Sequence, residues 1–230
     1  NNTALGYQSL FCNTASNNTA VGFCALKSNT TGTPNTAVGT NALKNNTIGT
    51  NNTAVGYNVL TNNTTGIQNT AVGRNALFSN TTGGNNIAIG QAALRLNSSG
   101  ARNVSVGRAS MEGNTTGSDN VALGHYALIA NQAGDNNIAI GRNALYSNTA
   151  SNNVGVGFSA LKSNTTGVYN TAVGTNSLRN NTIGTGNSAL GFTALRYNTT
   201  GANNTAVGYQ ALLINTVGSS NTAIGRNALL

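Results

Sequence analysis

Residues 69–85 read N-T-A-V-G-R-N-A-L-F-S-N-T-T-G-G-N, and residues 86–102, N-I-A-I-G-Q-A-A-L-R-L-N-S-S-G-A-R, repeat that plan seventeen positions on. Outward from Gly73, the glycine closing the N-T-A-V-G element recurs at Gly6, Gly22, Gly39, Gly56, Gly90, Gly107, Gly124, Gly141, Gly157, Gly174, Gly191, Gly208 and Gly225. Every step is 17 residues except Gly6 to Gly22 and Gly141 to Gly157, which are 16. Self-similarity at a fixed short period is the signature of a stacked repeat architecture. Residues 1–230 therefore read as one continuous array of fourteen repeats. Positions are counted below from the repeat glycine. Asn stands at −4 in every copy, as in Asn18, Asn35 and Asn52, and at +7 in every copy that reaches it, as in Asn29, Asn46 and Asn80. Leu stands at +4, as in Leu26, Leu43 and Leu77, with Met111 the one exception. Most copies carry a second glycine at +10.

A 17-residue unit is half of what a helical pair needs, and Asn and Gly every few positions oppose helix. The stretch −3 to −1 (Ile87-Ala88-Ile89, Thr171-Ala172-Val173) has β-branched or aliphatic residues two apart, which share one face of a strand. The x-A-L-x-x stretch reads as a second short strand, and N-T-T-G as a turn, because Gly and Asn tolerate positive φ. The expectation is an all-β fold, a parallel β-solenoid or β-roll, with about one coil per repeat. Residues at one repeat position would then lie about 4.8 Å apart along the stack. Leu26, Leu43 and Leu77 become an apolar ladder, and the two Asn columns become amide ladders. One coil cannot bury its own Leu, so stability comes from neighbours. The two 16-residue repeats lack the second glycine, with Ser16 and Ser151 in its place, so the deletion is expected in that corner with the strands intact. The array opens and closes in mid-repeat without a polar cap, as a segment of a longer array would.

Composition narrows the function classes. Of 230 residues, 43 are Asn, 32 Thr and 29 Gly; charged residues make up 6%, aromatics 5%, and there is one His and no Trp. An ordinary globular domain is about one quarter charged, and acid–base catalysis is poorly served by one His and three carboxylates. No apolar run approaches the roughly 18 residues of a membrane span. Residues 22–60 and 157–195 match at 28 of 39 positions, which places a longer period above the 17-residue one.

The units N-T-A-L-G-Y-Q-S-L (2–10), N-T-A-V-G-Y-Q-A-L (204–212) and N-N-I-A-I-G-R-N-A-L (136–145), joined by S-N-T-T-G (79–83), resemble the tandem repeats of bacterial and phage tail-fibre-like proteins. The N-I-A-I-G and N-V-A-L-G cores are also similar to the head repeats of trimeric autotransporter adhesins. The resemblance spans the whole chain. It implies a non-catalytic structural or adhesive fibre shaft, extracellular or on a cell or virion surface, that self-associates as a homotrimer or filament. Ala at −2 and +3 is the expected point of close approach between chains.

Net charge is +8, and ten of the eleven cations fall in two columns, +1 (Arg74, Arg108, Arg142, Arg226) and +5. Those columns also accept Tyr, Phe, Thr and Gln, as at Tyr7, Phe23, Tyr57 and Tyr209, so they read as an exposed, variable face. Charges there keep strand-rich surfaces from pairing, and could attract acidic glycans or other polyanions. Specific nucleic-acid binding is not expected. The aromatics suit either sugar stacking or a subunit interface. Cys12 and Cys24 occupy different repeat positions and read as fillers; no spacing of Cys, His, Asp or Glu matches a metal or cofactor site. Sequons at Asn29, Asn63, Asn80, Asn97, Asn114, Asn164 and Asn198 fall within an Asn column, whose amides a glycan would disrupt. The alternative reading is ice binding through the −3 threonines (Thr3, Thr19, Thr36, Thr53, Thr70). Against it, Ile87, Val104, Val121 and Ile138 interrupt that column and point to an inward position.

Overall fold

The narrow coil decides which residues point inward. Alanine at −2 is the only strand residue small enough to sit opposite a leucine, and it alternates with larger neighbours at −3 and −1. The computed structural model describes all 230 residues, from Asn1 to Leu230. Each repeat contributes one short strand: Thr3–Leu5 (β1), Thr19–Val21 (β2), Asn35–Val38 (β3), Asn52–Val55 (β4), Thr70–Val72 (β5), Ile87–Ile89 (β6), Val104–Val106 (β7), Val121–Leu123 (β8), Ile138–Ile140 (β9), Val154–Val156 (β10), Thr171–Val173 (β11), Ser188–Leu190 (β12), Thr205–Val207 (β13) and Thr222–Ile224 (β14). The chain divides into two compact units, Asn1–Ser118 and Asp119–Leu230. Within the first, β1 to β7 pair in sequence order and in parallel; within the second, β8 to β14 do the same. Register is repeat on repeat, as in Thr53↔Thr70, Ala54↔Ala71 and Val55↔Val72. Each unit is a parallel β-solenoid with one coil per repeat.

The strand faces correct one expectation. Ala20, Ala37, Ala54, Ala71 and Ala88 are fully buried, whereas Val38, Val55, Val72, Ile87 and Ile89 are 36–41% exposed. The −3 and −1 pair shares one face, but that face is outward. The Thr-to-Ile exchange at −3 marks a half-exposed sheet surface on which β-branched residues of either polarity fit. Alanine at −2 and +3 is correspondingly core, not a surface of close approach: Ala42, Ala76 and Ala93 are buried too.

The second strand is absent, and a ribbon of linked turns replaces it. In the Gly39 coil, Ala42 N donates to Gly39 O (3.4 Å), Lys44 N to Asn41 O (3.4 Å) and Asn46 N to Leu43 O (3.1 Å). The third residue of each of the first two turns is left-handed, Asn41 at φ 57° and Leu43 at φ 51°, as a type II turn requires. Backbone N–H groups then alternate along the axis: Asn41 N donates to Phe23 O of the preceding coil (2.9 Å), and Leu43 N and Asn45 N to Val59 O and Thr61 O of the next (3.0 Å each). Every backbone donor that points along the stack thus meets the neighbouring coil, which is what a strand would have achieved.

Gly73, between strand and turn ribbon, sits at φ +122°, and a Cβ there would lie 2.7 Å from the carbonyl oxygen of Gly90 in the next coil. Only glycine permits that approach. At +10 the constraint is different, because a Cβ on Gly83 would fall 2.5 Å from Asn80 Oδ1.

Both amide ladders converge on that second glycine. Asn46 Nδ2 donates to Asn29 Oδ1 (2.7 Å) and Asn63 Nδ2 to Asn46 Oδ1 (2.7 Å) in the +7 column. At −4, Asn52 donates from both its backbone N (3.0 Å) and Nδ2 (3.2 Å) to Asn35 Oδ1. Asn35 Nδ2 and Asn46 Nδ2 then share Gly49 O, at 2.9 and 3.0 Å. Asn18, Asn35, Asn52, Asn29, Asn46 and Asn80 are all at most 2% exposed, and the amides of these six are partnered, as burial demands. Beside them Leu26, Leu43, Leu77 and Met111 are fully buried.

The short repeats lose their residue in the corner. Strand register runs on through them, Thr3↔Thr19 and Ile138↔Val154. The acceptor that Gly supplies elsewhere is here the carbonyl of Ala15, taking Asn13 Nδ2 and Asn2 Nδ2 at 2.7 Å each, and of Ala150, taking Asn148 Nδ2 (2.7 Å) and Asn137 Nδ2 (2.8 Å). Ala15 and Ala150, not Ser16 and Ser151, stand in for the missing glycine.

Candidate interaction surfaces

Two outward faces follow from this core: the strand face and the turn-ribbon face. The strand face carries two columns. At −1, every residue is Val, Ile or Leu, while −3 is Thr or Ser in nine coils and Ile or Val in five, β6 to β10. Neighbouring coils present these side chains about 4.8 Å apart along the stack, and −3 and −1 lie roughly 7 Å apart along the strand. The outcome in each unit is a regular, aliphatic-rich surface without a charge: among residues at −3 and −1 there is no Asp, Glu, Lys or Arg.

The turn face carries the chemistry-bearing residues. Tyr7 (65% exposed), Phe23, Tyr57 and Tyr209 project from +1, with exposed Arg74, Arg108 and Arg142 in the same column. At coil spacing these planar groups stack. Tyr7 and Phe23 lie 5.4 Å apart at 14°, and Phe192 and Tyr209 lie 5.3 Å apart at 11°. Arg74 lies 6.0 Å over the Tyr57 ring and Arg226 lies 5.5 Å over that of Tyr209, within the range of cation–π attraction. At +5, Arg95 Nε donates to Glu112 Oε1 of the next coil at 2.7 Å. The +2 column lies between +1 and +5, and in it Asn41 Nδ2 donates to Asn58 Oδ1 at 3.0 Å. A shallow depression of about 160 Å³ opens there, lined by Asn58, Asn75, Phe78 and Arg95.

The remaining candidates separate. His125 lies against the Tyr126 ring at 3.8 Å, and Glu112 is engaged by Arg95. No three His, Cys, Asp or Glu residues come together. Cys12 and Cys24 are free thiols, the first exposed and the second buried with Sγ 3.7 Å from Gln8 Oε1. The sequon residues Asn29, Asn63, Asn80, Asn97, Asn114, Asn164 and Asn198 are fully buried, so glycosylation of the folded chain has no access to them. No helix is long and apolar enough to cross a membrane.

Sequence reasoning placed the +1 and +5 columns outside but missed the strand face. The signal was present: alanine at −2 is the smaller and the more constant of the three strand residues, replaced only by Ser105 and Gly155. No family model matches this chain, and no curated protein or solved structure matches it either.

Proposed function

We propose that this chain is a structural shaft element, without catalysis, whose copies associate side by side through the strand face, as a homotrimer on a cell or virion surface. The observation that carries this is the outward −1 column, aliphatic in all fourteen coils and 36–41% exposed at Val38, Val55, Val72, Ile89 and Ile140. Contiguous exposed apolar surface of this kind marks an association site. A second copy of this chain is the natural occupant, because only a surface with the same axial repeat meets such a face coil after coil. The two columns differ in a way that favours three chains over two. A face-to-face pair would cover −3 and −1 equally, whereas three chains about a common axis bury the uniformly aliphatic −1 columns at the centre and leave the Thr-bearing −3 columns beside them. The resemblance of the repeat unit to fibre and adhesin-head repeats points the same way and supplies the surface location. Sedimentation equilibrium tests the reading. The parent chain is expected at three-chain mass, and the triple variant Val38→Lys, Val55→Lys, Val72→Lys at reduced association with an unchanged circular dichroism spectrum. A parent at single-chain mass at all concentrations would overturn it.

The outward strand face also removes the sequence objection to ice binding. Thr19, Thr36, Thr53 and Thr70 form a column in register on β2 to β5, beside Val21, Val38, Val55 and Val72. Ice binding needs that face bare, while association covers it. Thermal hysteresis in solutions of single chains would favour the ice reading; its absence alongside a three-chain mass would favour the shaft.

A further inference from the structure

On the turn face, the amide column at +2 behaves unlike those at −4 and +7. It begins with Asn41 donating to Asn58 and then stops. Asn58 uses only its Oδ1, and Asn75 makes no side-chain hydrogen bond within the chain, although both line the depression. Arg95 closes one side. Its Nε is held by Glu112 at 2.7 Å, which fixes the guanidinium plane while its terminal nitrogens have no partner in the chain. Phe78 offers a half-buried ring beside it. Tyr57 and Arg74 stand in the flanking +1 column as a cation–π pair. An apolar ring, two amides with unused donors and acceptors, and an oriented guanidinium within one shallow hollow match one type of ligand. It has a carboxylate for the fork of Arg95, hydroxyls for Asn58 and Asn75, and a flat C–H face for Phe78.

We propose that this hollow binds a single uronic-acid ring of an acidic polysaccharide. Its volume of about 160 Å³ is below the range of pockets that engulf drug-sized ligands, about 300–1,000 Å³, and its shallowness lets the polymer continue beyond the bound ring. In the unit Asn1–Ser118, six cations face a single carboxylate, Glu112, which draws a polyanion to the surface before the ring seats. The site lies on the turn face and does not depend on association through the strand face.

Titration calorimetry on the intact protein with trigalacturonate tests the assignment. Saturable binding is expected, and maltotriose, which has the hydroxyls without the carboxylates, should bind at least tenfold more weakly. Phe78→Ala and Arg95→Gln should each weaken trigalacturonate binding at least tenfold, and Arg142→Ser should leave it unchanged. In the parent protein the side-chain amide resonances of Asn58 and Asn75 should shift with the same saturation. No binding, or unmoved Asn58 and Asn75 resonances, would overturn the site. So would polyglutamate of equal charge competing as well as the sugar, since charge alone would then account for the attraction. Sedimentation of the parent reads the association separately, so either proposal can fail alone.

Discussion

At the scale of single residues, the unexpected feature is a column of left-handed leucines. Leu43, Leu77, Leu94 and their equivalents lie at φ between 46° (Met111) and 53° (Leu128), where a non-glycine residue stores about 1–3 kcal/mol. Burying each leucine returns a comparable 1.5–3 kcal/mol, so the conformation persists because this column supplies the largest side chain that each coil puts into the core. Replacing fully buried Leu94 by Asp sets an unpaired carboxylate into that core and should cost more than about 4 kcal/mol. Arg142→Ser on the turn face should stay within about 0.5 kcal/mol of the parent. Denaturant melts of the two variants check the inward and outward assignments together. The amide ladder gives a sharper case. Asn63 Nδ2 donates to Asn46 Oδ1 and Gly66 O and its Oδ1 accepts from Asn80. Asn63→Asp keeps the acceptor, loses both donors and buries a charge. Burial raises the folded-state pKa of the new carboxylate above its unfolded value, so the folded state holds the proton more tightly. Stability of this variant should therefore be greatest at acid pH and fall as pH rises through the unfolded and then the folded value. The parent should lack this dependence in the same melts.

At the scale of the element, a coil is one three- or four-residue strand, a turn ribbon and a corner, and these differ in tolerance. Gly73→Ala should destabilise by several kcal/mol, because strain at φ +122° adds to a Cβ 2.7 Å from Gly90 O. Ala15→Gly should cost under about 1 kcal/mol, the usual entropic difference between these residues, since Ala15 already occupies the glycine role. An extra residue between Ala15 and Ser16 should be absorbed likewise, while one between Ala71 and Val72 would reverse every later side chain of β5. Thermal melts of the four proteins should fall into these two classes. The same contrast explains what was legible beforehand. Coil length, the Leu26 and Asn46 columns and the corner site of the deletion follow from periodicity, because periodicity reports stacking directly. The strand face was misread: alternation in Thr70-Ala71-Val72 fixes only which pair shares a face, and the cue to which face is inside was the small, near-constant alanine at −2. Nor was the turn ribbon, because N-A-L has the look of a strand and nothing in Leu77 announces a positive φ. The aromatic and cationic columns were readable as exposed from their variability, but not the hollow at Asn75 and Phe78, which depends on three coils meeting.

At the scale of the molecule, each coil touches little but its neighbours, so stability accumulates coil by coil. Excision of residues 86–102, one full period of the first unit, should leave the circular dichroism spectrum per residue unchanged and lower the melting temperature only slightly. Excision of 86–94 joins out-of-phase positions and should lose cooperative melting. One feature also gives the chain a mechanical character. The strand bonds, the turn-ribbon bonds such as Leu43 N to Val59 O, and the amide ladders all run from coil to coil. Tension applied along the stack would load them end-on and in succession, as a zip is opened, not all at once as in a sheared sheet. Each coil released would pay out seventeen residues of slack, a lengthening of about 50 Å once the lost coil rise is subtracted. A unit stretched between two handles would yield as a ratchet of near-equal steps at modest force, with its one sixteen-residue coil stepping slightly short, so a load hung on it would be cushioned before the last coil gives way.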